Sequence, residues 1–83
     1  MEKAKIDIIL HAVGFPAMYR NFFCVDPGTE DFRLCEELAE SGFMKRGAAG
    51  NAGRTYYHVT LSGLAAAGVG KPLKYEHDKL KAI

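Results

Sequence analysis

Residues 29–63 read TEDFRLCEELAESGFMKRGAAGNAGRTYYHVTLSG, and this stretch decides the fold. Phe32, Cys35, Leu38 and Ala39 recur at helical spacing on one side, with Leu34 at the margin. Glu30, Arg33, Glu36, Glu37 and Glu40 fall on the opposite side. Acids at Glu30 and Asp31 suit the positive N-terminal end of a helix dipole, and Gly42 is placed to take the left-handed conformation that ends one. Phe43-Met44-Lys45-Arg46 then predicts a short strand. Three glycines and an Asn in GAAGNAG, residues 47–53, predict a tight turn. From Arg54 to Leu61 the pattern alternates, Tyr57, Val59 and Leu61 on one face and Tyr56, His58 and Thr60 on the other. Two strands joined in this way predict a hairpin. Thr60 is a plausible N-cap for a last helix in which Leu61, Leu64 and Ala65 would close the core.

Working outward, Ile6, Ile9, Leu10 and Val13 share one face of a predicted helix over 4–13. Ile8 falls off that face, and His11 projects to the polar side. Gly14 and Pro16 end the helix. Residues 17–25, AMYRNFFCV, are read as a short helix, although FFCV alone would suit a strand. Asp26-Pro27-Gly28-Thr29 has the composition of a turn. One domain over 1–70 is expected, followed by a basic tail over 71–83 that could form a further short helix.

Eighty-three residues with 48% apolar and 25% charged side chains suit one small globular domain. No apolar run approaches the roughly 18 residues a membrane helix needs. The opening residues lead into an amphipathic segment rather than a signal-peptide core, so a cytoplasmic location is expected. Cys24 and Cys35 have neither zinc-site nor disulfide-framework spacing and are read as small apolar residues. The net charge of +1 hides a segregation. Residues 28–42 carry Glu30, Asp31, Glu36, Glu37 and Glu40 against Arg33, whereas residues 43–60 carry Lys45, Arg46 and Arg54 with no acid.

The predicted order is helix, short helix, helix, strand, glycine-rich turn, strand, helix. With it, LCEELAESGFMKR and RTYYHVTLSG resemble the end of a winged helix-turn-helix domain. There a recognition helix closes on a leucine pattern and a Gly, and an aromatic–x–Val–Thr–x–x–Gly strand returns from the wing. The resemblance implies an α+β fold, mostly helical, with three helices, a β-hairpin wing and a C-terminal helix. The chain is also similar to small uncharacterised phage and prophage proteins through His11-Ala12-Val13-Gly14, Tyr19-Arg20-Asn21-Phe22, Cys35-Glu36-Glu37-Leu38, Gly42-Phe43-Met44 and the VTLSG ending.

Two functions follow as expectations. In a winged helix the 29–41 helix would enter the major groove of double-stranded DNA, Arg33 could read guanine, Lys45, Arg46 and Arg54 would contact phosphates, and Asn51 would reach from the wing tip. Glu30, Glu36, Glu37 and Glu40 would oppose that approach. The alternative is a protein-interaction module in which those four acids meet a basic partner, or in which the chain forms a homodimer. No catalytic function is expected. Cys24, Cys35, His11, His58 and His77 have no spacing that demands a Cys–His pair, and GAAGNAG matches neither phosphate-loop pattern. No cofactor or metal is implied.

Overall fold

A computed structural model describes residues 1–70. It is a small α+β fold of three α-helices and a three-stranded antiparallel sheet. Helix α1 spans Lys3–Val13. It packs on two sides, against the second helix and against the sheet, so its buried face is broader than one helical stripe. Ile8, Ile9, Ala12 and Val13 are buried, while Ile6 and Leu10 are only partly covered. Ile8, which falls off the expected helix face, is buried in the core within the chain itself. Gly14 ends α1 at φ +67°, and a Cβ there would lie 2.4 Å from a Tyr19 ring carbon.

The largest departure from expectation lies in residues 17–25. No helix forms; a turn leads to strand β1, Phe23–Val25. Pro16 lacks the N–H that helix continuation needs, and Met18 adopts φ +58°, which no α-helix contains. Phe23, Cys24 and Val25 instead satisfy their backbone on a partner strand some thirty residues later. The expected second helix is therefore a strand, and the fold is less helical than predicted.

Thr29 caps helix α2, Glu30–Glu40, its hydroxyl accepting from the N–H of Phe32 at 3.2 Å. Leu34, Cys35 and Leu38 are buried, which moves Leu34 from the margin into the core. Gly42 at φ +82° turns the chain into strand β2, Met44–Ala49. The glycine-rich run is thus divided. Gly47, Ala48 and Ala49 belong to β2, and the turn is confined to the residues around a single 3₁₀ turn at Asn51–Gly53. Strand β3, Thr55–Val59, returns between the other two in the order β1-β3-β2. Met44 faces Val59, Arg46 faces Tyr57, and Phe23 faces Tyr57 from the other side.

Thr60 caps helix α3, Leu61–Ala66, accepting from Gly63 N–H at 3.0 Å. Leu64 is buried, but Leu61 is 63% exposed and Ala65 is exposed as well. Only one side of this six-residue helix meets the fold, through Gly63 and Leu64, so the core closure expected of Leu61 and Ala65 falls to Leu64 alone. Val69 packs against the core just beyond it. The core lies between α1, α2 and the sheet, with Ile9, Val13, Cys35, Leu38, Tyr57 and Val59 at its centre. The expected tail at 71–83 lies outside the described residues.

His58 is the second departure, on β3. Alternation places it on the polar face with Tyr56, yet it is buried. Asn21 lies over that face at His58, and Phe22 meets Tyr56 there. The carbonyl of Asn21 lies 2.7 Å from His58 Nδ1, and a carbonyl can only accept, so Nδ1 carries the hydrogen. Gly47 passes over the other end of the ring, where a Cβ would come within 2.4 Å of Nε2.

Candidate nucleic-acid interface

The hairpin of β2 and β3 follows α2 directly, and Lys45, Arg46 and Arg54 on it are exposed. Neighbours along a strand point to opposite faces. Arg46 accordingly lies on the α2 side of the sheet and Lys45 on the other, while Arg54 stands at the far end of the hairpin. Asn51 is exposed in the 3₁₀ turn at the tip. The structure therefore spreads the expected phosphate contacts around the hairpin instead of gathering them on one face.

Each arginine of this set holds an acid. Arg46 grips Glu36 with both ends of its fork, Nε to Oε2 at 2.9 Å and Nη2 to Oε1 at 2.7 Å. The Tyr57 hydroxyl donates to the same carboxylate. Arg54 Nε donates to Asp26 at 2.8 Å, tying the hairpin to the turn before α2. Arg33 bonds Glu30 at 2.9 and 2.6 Å and also Glu37. Lys5 of α1 reaches Glu37 at 2.9 Å. Lys45 makes no ion pair among the described residues.

These contacts set the ionisation of the site. Hydrogen bonds from Arg46, then from Tyr57, hold the Glu36 carboxyl below its ordinary range. Lys5 does the same to Glu37 and Arg33 to Glu30. Burial first, then the Glu36 bond, raises the pKa of the Tyr57 phenol. Burial also pushes the Cys35 thiol up to about 12, which suits an inert core residue rather than a nucleophile. Cys24 is a half-covered free thiol.

Glu36 yields a pH prediction. Its folded-state pKa is depressed, so its contribution is present above the unfolded value near ~4.3 and is lost as pH falls through the folded value. Glu36→Gln is expected to lower the urea midpoint at pH 7, with the difference from wild type shrinking as pH drops below about 4. Denaturation curves at several pH values check this; a constant difference down to pH ~3 would mean the ion pair is not its source.

Protein-family models, curated proteins and solved structures were all compared with the chain. None matches. The residues themselves are what remains to carry function. Among the described residues no helix is long and apolar enough to cross a membrane, and no group of three or more His, Cys, Asp or Glu side chains could hold a metal ion.

One basic side chain of interest is not marked out by the sequence pattern. Arg20 lies in the stretch that reads as a helix, and that reading puts its neighbours on the wrong faces. Its Nε and Nη2 donate to the carbonyl of His11 at 3.1 and 2.8 Å, and its guanidinium stands 5.0 Å from the Tyr19 ring centre and 5.7 Å from that of Phe22. It holds no acid among the described residues. An arginine flanked by aromatics just after a Gly-x-Pro helix stop is the available signal.

Proposed function

We propose that this protein is a small winged-helix-type domain that binds nucleic acid, contacting phosphates through the hairpin of β2 and β3. The observation that carries this function is the state of the acidic helix face. Glu30, Glu36 and Glu37, three of the four carboxylates that would oppose a polyanion, are each held by a cation, and Glu40 alone holds none among the described residues. Repulsion from α2 is therefore weaker than the sequence implies. Arg46 and Arg54 engage their acids at solvent-exposed positions, where ion pairs are worth little; a phosphate that takes Arg54 releases only Asp26, which lies off α2, whereas one that takes Arg46 releases Glu36. Like a wing, the hairpin leaves the end of α2 and returns through Thr60 to a closing helix. The departure is that α2 alone stands between β1 and β2, where a helix-turn-helix has two adjacent helices.

Replacing both Arg46 and Arg54 by Ala is expected to weaken binding to duplex DNA by about tenfold or more at low salt. It should also flatten the slope of log affinity against log salt by about two, near 0.9 for each phosphate that is no longer neutralised. Fluorescence anisotropy across a salt series measures both. Unchanged affinity and slope would remove the hairpin from the interface.

A protein-interaction function has one observation of its own. Asp31 and Glu40 are exposed acids on α2 that make no ion pair among the described residues, and they would suit a basic partner surface.

A further inference from the structure

We infer that the cleft at the C-terminal end of α1 is a second nucleic-acid site, one that takes a single strand by stacking a base and holding its phosphate. The cleft has a volume of about 370 Å³ and is lined by Leu10, His11, Gly14, Phe15, Tyr19 and Arg20. Three features meet there.

Phe15 is 46% exposed and Tyr19 is 55% exposed, so about half of each aromatic side chain meets solvent in a domain that hides most of its large apolar side chains. Aromatic surface of this kind is a stacking platform for bases whatever the sequence. Arg20 supplies the charge. Two of its five N–H donors are spent on the His11 carbonyl, which fixes the guanidinium over Tyr19 and Phe22 without consuming its positive charge. The negative end of α1 offsets roughly half a unit of that charge, leaving a net positive centre beside the rings. Gly14 completes the platform: its missing Cβ lets Tyr19 lie against the backbone.

The arrangement selects a polyanion with flat rings. Asp7 and Asp31 line the neighbouring cleft on the far side of His11, so an anion is favoured on the Arg20 side and repelled beyond it. A duplex keeps its bases stacked inside and offers no ring to Phe15 or Tyr19, whereas a single strand does. The ligand class rests on the nucleic-acid function proposed above, but the surface is separate from the hairpin.

Binding of a labelled oligothymidylate of about twelve nucleotides, within the span one small binding domain covers, is the test. It is measured by anisotropy with the wild-type chain, with Tyr19→Ala, with Arg20→Ala and with the Arg46→Ala, Arg54→Ala double variant. Tyr19→Ala and Arg20→Ala are each expected to lose about tenfold or more in affinity for the single strand, while the hairpin variant retains most of it. Amide chemical-shift changes in the wild-type chain should centre on residues 14–20, a readout independent of how well any variant folds. Shifts confined to the hairpin, or single-strand binding that is abolished only in the hairpin variant, would overturn the inference and leave the hairpin function standing. Duplex binding without single-strand binding would do the same. Single-strand binding at residues 14–20 without duplex binding would support the cleft and remove the hairpin.

Discussion

Gly63→Ala is expected to destabilise the fold by about 3 kcal/mol. At the typical 4 to 8 °C per kcal/mol for a domain of this size, Tm should fall by roughly 12 to 24 °C. Local preference points the other way, since Ala is favoured over Gly inside a helix by up to about 1 kcal/mol. Packing decides the sign. A Cβ on Gly63 would lie 2.0 Å from the carbonyl oxygen of Phe43 and 2.9 Å from its carbon. That carbonyl cannot retreat cheaply. It accepts from Thr60 N–H at 3.2 Å, and the Phe43 N–H is bound to Leu38 at 2.9 Å. The Thr60 hydroxyl ties the same junction to Gly42 at 2.7 Å. Gly63 is therefore where α3 touches the start of β2, and the close approach needs a residue without a side chain. Gly70→Ala is the control, because a Cβ there meets nothing within 4 Å. A cost below about 1 kcal/mol for Gly63→Ala, set against the few-kcal/mol range for overpacking, would contradict this account of the junction.

Asn21→Leu is expected to cost a similar amount, about 3 kcal/mol or more. Asn21 is fully buried, and its amide behaves as a piece of strand. Its Nδ2 donates to the Val59 carbonyl at 3.0 Å, and its Oδ1 accepts from the Val59 N–H at 2.7 Å. The side chain thereby carries the pairing of β3 past the point where β1 begins. Removing it leaves both backbone groups of Val59 without their partner on that side, at about 1–3 kcal/mol for each buried group left unsatisfied. Leu fills the space and denies it to water, so Asn21→Ala, which admits a water molecule, should be the milder change. Hydrogen exchange gives a local readout: the Val59 amide should lose protection in the Leu variant well beyond the global change. Undiminished Val59 protection with a cost under about 1 kcal/mol would show that the amide is not the clamp.

Features fixed by neighbours in sequence are legible from sequence alone. The caps at Thr29 and Thr60 and the turn at Gly42 are set within three residues, and each takes the role its residue type predicts. The α2 stripe and the return strand are legible for the same reason. What fails depends on distant partners. Strand β1 forms because β3 offers an edge at Thr55–Tyr57; FFCV suits a strand on its own, but only that distant edge decides for strand over helix. His58 reads as an outward residue because alternation cannot reveal that Asn21 and Phe22 fold over the second face. Gly47 reads as a turn glycine because its packing over an imidazole eleven residues later is a tertiary fact. The candidate site divides in the same way. Its cations are found by residue type. Their acids, ten residues from Arg46 and 28 from Arg54, appear only once the chain is folded.

Those pairings recast the functional question. The sequence sets a basic hairpin against an acidic helix, as if one must cancel the other. In the folded chain Glu36 and Arg46 neutralise each other locally, Lys5 and Arg33 do the same for Glu37, and Lys45 and Arg20 remain as cations that hold no acid among the described residues. Exposed pairs of this kind are worth little, so they are weak competitors for the phosphate contacts proposed for the hairpin.

Anisotropy of the wild-type protein with labelled random-sequence duplex DNA, at about 50 and 200 mM salt, tests the central claim most directly. Binding at the lower salt that weakens steeply at the higher is the predicted result, because each phosphate contact releases counterions. Binding at neither salt, or binding indifferent to salt, would contradict it and turn attention to a basic protein partner for the acidic face of α2.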